Sequence, residues 1–267
     1  MQTLGGSIAV VCGGGSGIGR ASAEALARSG MTVVVSDISE ARIDEVVAAI
    51  RRDGGSASGQ VCDVTRESAL QRLHDDTLSE FGRINLLMNN VGVIPSGKFL
   101  DIPLSEWRRA FETNLMSYVT ATRIFLPTLV ASGDGHVVNT ASTAGLYPYT
   151  ADRLPYSSMK AAVISFSECL SLDVRDQGVF VTCLCPGPVI TNIREQLQFH
   201  GQPNLRTPAL PMMEPDAVGE LVVQAVRDNV FLLHTHAEVQ DILRARANDP
   251  EAFLSEQARL FRIDDEA

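Results

Sequence analysis

Basic residues other than arginine are nearly missing from this chain: Lys98 and Lys160 are its two lysines. Basic charge as a whole is in deficit, with 22 Lys and Arg against 32 Asp and Glu, a net charge of −10 and a pI near 5.0. Without a basic stripe, nucleic acid and anionic membrane surfaces are excluded as partners. Long apolar runs are missing too; stretches such as IAVVC and MTVVV are far too short to cross a bilayer. No charged segment followed by a long apolar stretch opens the sequence, so no secretory signal is expected. Cysteine is scarce: Cys12, Cys62, Cys169, Cys183 and Cys185 make an odd five without regular spacing. That argues against a disulfide framework and fits a reducing cytoplasm. His234 and His236 have no clustered Cys or acidic companions, so no metal site is expected.

Apolar content, by contrast, is ample at 45% of 267 residues, enough for a substantial core. Residues 1–267 read as one α/β domain. Short β-rich runs fall at Ser7–Cys12, Thr32–Ser36, Ser58–Cys62, Asn85–Asn89, His136–Thr140, Val179–Cys183 and Phe231–His234. Amphipathic stretches between them predict helices near 18–29, 40–52, 66–81, 104–132, 156–176 and 215–228. This alternation predicts a doubly wound, Rossmann-type parallel sheet of about seven strands, with helices on both faces. Residues 192–213 break the pattern. They are weakly periodic and long for a connection, as a substrate lid loop is. The tail at 237–261 reads as a helical extension.

In such sheets ligands bind beyond the carboxyl ends of the strands. The first of these positions holds CGGGSGIGR, a G-x-x-x-G-x-G loop between a strand and a helix. Glycines there let the chain turn tightly and approach a pyrophosphate at the helix N-terminus. Gly13, Ser16, Gly17, Ile18 and Gly19 are the candidate cofactor-binding residues of this loop. The second strand ends in VVVSDIS, which places Asp37 about 20 residues beyond the glycines, where an acid accepts from an adenosine ribose. A carboxylate there repels a 2′-phosphate, and neither Ser16 nor Ile38 offers a compensating cation. The cofactor reading is therefore NAD rather than NADP. The bland alternative for Asp37 is a helix N-cap, a task Ser39 can do equally well.

The stretch LPYSSMKAAV opens a helix, with Pro155 at a first-turn position where its missing N–H costs little. Tyr156 and Lys160 then stand at i and i+4 on one face. The pair is either an ordinary contact or a phenol held beside an ammonium for chemistry. A chain that otherwise uses Arg keeps Lys here, and Lys is a compact point charge with three rotatable donors.

Further motifs follow in order: CDV at 62–64, NNVG at 89–92, NL at 114–115, NTAS at 139–142, YSSMK at 156–160 and PGPVIT at 186–191. With the glycine loop, this ordered set resembles the single-domain short-chain dehydrogenase/reductase family over about residues 5–235. The resemblance implies an NAD-dependent alcohol dehydrogenase or carbonyl reductase with a catalytic tetrad of Asn114, Ser142, Tyr156 and Lys160. It implies cofactor contacts from Asp63 and Val64 to adenine, Asn90 near the inner ribose, Gly92 beside it, and Val189 and Thr191 at the carboxamide. Tyr156 exchanges the substrate proton, Ser142 holds the substrate oxygen, Lys160 holds the nicotinamide ribose, and Asn114 holds a water. A free phenol titrates near 10, so lowering it by about three units takes about 4 kcal/mol of preferential stabilisation of the phenolate. Lys160 and the positive nicotinamide ring are the expected sources.

Departures from the family pattern are Cys12 in place of Thr, Val91 in place of Ala, and one extra residue between Ser142 and Tyr156. The chain also lacks a DGG ending after the last strand. Apolar candidates for a pocket lining are Val93, Ile94, Pro95, Leu146, Tyr147 and Tyr149, with Ile193, Leu197, Phe199, Met212 and Met213 from the lid. They suit a hydrophobic secondary alcohol or ketone, and packing of the lid is the plain alternative for the two methionines. Arg194, His200 and Arg206 are available to an acidic substrate, or simply solvated. Val163, Phe166, Cys169 and Leu170 make the helix at 156–176 apolar on more than one face, as a homotetramer or homodimer interface is in the family; core packing is the alternative. Rival functions on the same fold are an isomerase or dehydratase and a non-catalytic NAD-binding regulator.

Overall fold

The strands β1 (Ile8–Cys12), β4 (Leu86–Asn89) and β6 (Gly135–Thr140) are buried along their whole length, and they read as near-continuous apolar runs rather than alternating ones. Strands covered on both faces have this character, and it belongs to parallel sheets. A computed structural model describes residues 4–191, 197–202 and 210–265. Its central sheet is seven-stranded in the order β3-β2-β1-β4-β6-β7-β9, every pairing parallel. The remaining strands of that sheet are β2 (Thr32–Asp37), β3 (Ser56–Val61), β7 (Val179–Cys185) and β9 (Leu232–His234). The expected strands lie within two residues of these bounds.

Helices α1 (Gly17–Arg28), α2 (Glu40–Arg52) and α8 (Pro215–Asp228) cover one face, packing Leu26, Val46 and Val222 against Val33 and Val35. On the other face α3 (Glu67–Phe81) and α5 (Ser117–Ser132) pack Leu70, Phe125 and Leu129 against Val10 and Val137. Gly82 and Gly133 end these last two helices in the left-handed conformation, where a Cβ is strained. Strand order reverses between β1 and β4, which opens a crevice at their carboxyl ends.

Four features differ from the expectation. The helix expected over 104–132 is α4 (Leu104–Phe111) and α5, joined by a π-helical turn at Glu112–Met116. A short helix α6 (Thr143–Leu146) precedes α7 (Leu154–Val174). The segment read as a lid contains β8 (Leu197–His200), paired in parallel with β5 (Ile94–Gly97) in a separate two-stranded sheet. The C-terminal tail is two helices, α9 (Val239–Asn248) and α10 (Pro250–Asp265). Ile193, Arg194 and Arg206 lie outside the described residues. Val163 is fully buried against Tyr118, Cys183 and Cys185, so for that residue core packing is the outcome. No helix among the described residues is long and apolar enough to cross a membrane.

Candidate active site

At the carboxyl end of β1 the glycine loop is built by close contacts. The N–H groups of Gly13 and Gly14 both donate to Ser36 O, at 2.8 and 2.9 Å, which ties the loop to β2. Gly13 and Gly17 hold φ of +77° and +52°. A Cβ on Gly19 would stand 2.0 Å from Gly13 O, and one on Gly15 would stand 2.8 Å from Asp37 Oδ2. Gly15 is thus as constrained as the three glycines singled out by spacing. Ile18 packs into the core and Ser16 precedes α1 without a side-chain cap bond. The Asp37 carboxylate accepts from Gly15 N at 3.1 Å and from Ser39 N at 3.1 Å. It therefore braces the loop and closes the turn before α2, whose N-cap position is Ser39 rather than Asp37. Arg42 of α2, which no sequence motif marks, lies against the same point: its Cβ is 2.9 Å from a Cβ placed on Gly15.

A cleft of about 380 Å³ opens beside this loop, lined by Ser16, Gly17, Arg20, Arg42 and Thr191 among others. The start of a 12-residue helix, opened by Gly17, suits a dinucleotide's pyrophosphate. Asn90 Nδ2 donates to Gly13 O at 3.2 Å and Asn90 Oδ1 accepts from Thr140 at 3.0 Å, which links β4, the loop and β6. Asp63 is turned back on Thr65, and Val64 beside it is buried. Thr191 lies 3.1 Å from the position of a Gly17 Cβ, and Val189 is held in a bridge to Met213. Met213 packs on the core while Met212 is exposed.

At the other end of the crevice β6, the π-helical turn and α7 bring four side chains together. Ser142 caps α6, its Oγ accepting from Ala144 N at 3.1 Å, and it lies close enough to the Tyr156 hydroxyl to pull the phenol downward. Asn114 is fully buried and clamps Val93, accepting from its N–H at 2.8 Å and donating to its O at 2.9 Å. A Cβ on Gly92 would sit 3.6 Å from both Asn114 Oδ1 and Lys160 Nζ, so this glycine is the floor shared by the two. Lys160 Nζ donates to Thr140 O at 2.6 Å and to Tyr118 Oη at 3.3 Å, and it lies 5.8 Å from the Tyr156 ring centre.

Burial pushes the Tyr156 phenol up to about 12, with the Ser142 hydroxyl opposing. It pushes the Lys160 ammonium down to about 7, with the thiols of Cys183 and Cys185 opposing. The i, i+4 spacing alone has the lysine lowering the phenol directly. In the fold the two groups share a dry pocket, and desolvation outweighs their mutual attraction.

The Tyr156 phenol is walled by residues from far along the chain. Tyr147, Tyr149, Leu210 and Val239 form a buried cluster, with Tyr156, Leu146, Ile242, Leu243 and Phe253 packed on it. Phe253 of α10 meets Tyr147 edge-on, ring centres 6.4 Å apart, and Arg246 of α9 donates to Leu146 O. Arg153 Nη1 donates to Tyr149 Oη at 3.0 Å.

Residues 7–200 match the family described as short chain dehydrogenase. The chain belongs to the short-chain dehydrogenase/reductase family. Dehydrogenase/reductase SDR family member 6 of Xenopus laevis is 32% identical over 204 residues, which cover 76% of this chain and 80% of that one. Probable oxidoreductase EphD of Mycobacterium tuberculosis is 35% identical over 238 residues, 84% of this chain; the match spans only 40% of that longer protein. Among solved structures, a Burkholderia phymatum short-chain dehydrogenase/reductase in complex with NAD superposes with TM-score 0.83 at 31% identity, covering 94% of this chain and 96% of that one.

The departures from the short-chain dehydrogenase pattern have local explanations. Cys12 is buried and its thiol is pushed upward by that burial; Asn90, rather than a hydroxyl at position 12, bonds the glycine loop. Val91 packs onto Gly13, its Cγ2 2.9 Å from where a Cβ would stand. The lengthened segment before Tyr156 is closed on itself, with Thr150 bonded to Asp152 and Gly97 N donating to Asp152 O at 2.7 Å. His236 Nε2 lies 2.8 Å from Pro211 O and His234 Nδ1 lies 3.0 Å from His236 O. Among the described residues no three His, Cys, Asp or Glu side chains converge as metal ligands would.

Proposed function

We propose that this chain transfers hydride between NAD(H) and a hydrophobic secondary alcohol or ketone, with Tyr156 as the general acid and base. The observation that carries this is the Tyr156 phenol beside the Ser142 hydroxyl, with Lys160 buried one turn further along α7. Bound NAD would supply the hydride acceptor. In oxidation Tyr156 takes the proton of the alcohol oxygen, and in reduction it gives that proton back. Ser142 hydrogen-bonds the same oxygen and fixes its distance from the phenol. Lys160 holds the nicotinamide ribose, and Asn114 keeps the Gly92–Val93 floor in place. Asp37 accepts from the adenosine ribose; Asp63, Val64, Asn90, Val189 and Thr191 complete the cofactor's contacts. The test is NADH formation, followed by absorbance, over aliphatic, alicyclic, aromatic and steroid secondary alcohols. No turnover on any member of the panel, with NADH binding intact, would count against the dehydrogenase reading.

Asp37 supports NAD over NADP, since a 2′-phosphate would be brought up to a carboxylate already fixed by two N–H groups. NAD is expected to be preferred by about 100-fold, because a like-charge juxtaposition costs a few kcal/mol. Asp37→Ala should narrow that ratio, helped by Arg42 alongside. Equal use of both cofactors by the unsubstituted protein would sink the assignment.

The aromatic wall supports a hydrophobic substrate. Relatives agree in kind: epidermal retinol dehydrogenase 2 of Homo sapiens is 29% identical over 87% of this chain, and a 7α-hydroxysteroid dehydrogenase has been solved with NADH and 7-oxo glycochenodeoxycholic acid at 26% identity and TM-score 0.79. On this reading residues 192–213 are the lid and 237–261 an extension closing the pocket. Phe253→Ala is expected to raise KM for small alcohols by about 10-fold while bulkier ones gain, as removing a part-buried ring packed on Tyr147 opens space in the wall. An unchanged order of preference across the panel would place Phe253 outside the pocket. The partners proposed are copies of the chain, as a homodimer or homotetramer through α4, α5 and α7, where Phe111 and Leu172 are exposed at 41% and 80%. Light scattering decides this, a monomer being the adverse result.

A further inference from the structure

We propose that Tyr118 is the positioning residue of Lys160, a second phenol that fixes the direction of the lysine head in the active site. Tyr118 stands four residues after Asn114, at the start of α5, and only 1% of it is exposed. Its hydroxyl lies 2.9 Å from Val91 O and 3.2 Å from Thr140 O, and its single proton satisfies one of these carbonyls. The oxygen's free lone pair faces Lys160 Nζ at 3.3 Å, and the ring centre lies 5.1 Å from the same nitrogen. Lys160 is thereby held from two sides, by Thr140 O at 2.6 Å and by Tyr118.

An ammonium has three donors in tetrahedral arrangement. With one donor bound, the head turns about that single N–H···O axis. With two bound, the third N–H points in one direction only. The role rests on the reading of Lys160 as the holder of the nicotinamide ribose, since that third donor is the one left for the site. The other groups around Nζ do not compete for this task. Cys183 and Cys185 of β7, with sulfurs 3.9 Å apart, are weak acceptors, and the Tyr156 ring centre is 5.8 Å away. Asn114 has both side-chain polar atoms on Val93.

Nζ lies off the hydroxyl end of the ring, so the oxygen is the contact. Tyr118→Phe keeps the ring and its volume while removing that acceptor.

The near-absence of lysine makes the test direct. Protein labelled with carbon-13 at the lysine ε position gives two signals, from Lys98 and Lys160, assigned with Lys98→Arg. Lys160 is expected to titrate near 7. In Tyr118→Phe its midpoint should fall by about one further unit, because an acceptor that favours the charged form is gone. NADH affinity, read by fluorescence, should weaken by about ten-fold, the usual scale for a lost hydrogen bond to a charged group. A midpoint and signal identical to the unsubstituted protein would overturn the proposal. Should Tyr118→Phe fail to fold, the unsubstituted protein decides the matter. A held head gives two inequivalent ε protons at Lys160, whereas averaging like that of Lys98 would overturn the tether. Lys160→Ala separates the two levels. Undiminished NADH binding there would remove the ribose role, while the titration still decides whether Tyr118 holds the lysine.

Discussion

Tyr156→Phe is expected to lower turnover by about three orders of magnitude in both directions while NADH affinity changes by less than about two-fold, as loss of a general acid–base group alone predicts. The phenyl ring still fills the space among Tyr149, Leu146 and Ile242, so the fold has no reason to change. What disappears is the single oxygen that lies beside Ser142 and is able to exchange a proton. A pH signature should accompany it in the unsubstituted protein. The phenol, pushed up to about 12, is protonated throughout the neutral range, so carbonyl reduction has its acid ready and should vary little between pH 6 and 8. Alcohol oxidation needs the base form, so its rate should climb with pH, by up to about tenfold per unit. The climb should flatten above about 7, where Lys160 loses its proton and with it the charge that favours phenolate. A Phe variant that keeps a tenth or more of the activity would remove Tyr156 from the chemistry altogether.

Gly19→Ala should abolish cofactor binding and destabilise the fold together. The new Cβ would stand 2.0 Å from Gly13 O and 2.6 Å from Asn90 Nδ2, far inside any real contact. Neither neighbour is free to yield. Gly13 is bonded to Ser36 O at 2.8 Å, and Asn90 is bonded to both Gly13 O and Thr140. Overpacking of this kind costs about 1–3 kcal/mol, occasionally more, and here the displaced atoms are the cradle itself. NADH affinity is expected to drop by at least about 100-fold, the scale of losing several phosphate hydrogen bonds at once. Gly5→Ala is the control, with nothing within 4 Å of its added Cβ. If Gly19→Ala binds NADH as well as Gly5→Ala does, the loop is not the pyrophosphate site.

Much of this protein is legible in its amino-acid sequence, because the signals that matter there are local. The i, i+4 spacing of Tyr156 and Lys160 puts them on one helical face whatever the rest of the chain does. The glycine loop and Asp37 are placed by a strand, a turn, a helix and a second strand in immediate succession. Apolar runs alternating with amphipathic helices specify a parallel sheet, since a parallel strand needs a covered crossover.

What the tertiary structure decided lies between residues distant along the chain. Tyr118 and Lys160 are 42 residues apart, and nothing in either local pattern announces their contact. Their meeting depends on how α5 and α7 pack against the ends of β6 and β7. The pairing of β5 with β8 joins two four-residue strands across a wide gap in sequence, too short for periodicity to flag. The π-helical turn at Glu112–Met116 depends on backbone hydrogen bonding that side-chain spacing does not encode. Phe253 reaches Tyr147 only because α9 and α10 fold back over the crevice. By itself, then, the sequence determined the sheet, the glycine loop after β1 and the placing of Tyr156 and Lys160 as a pair on one helical face. The three-dimensional packing decided what surrounds that pair, and so the pocket's shape, its dryness and the opposed shifts of phenol and ammonium. Desolvation and side-chain contact are properties of a closed volume, and a volume closes only when segments far apart in the chain meet.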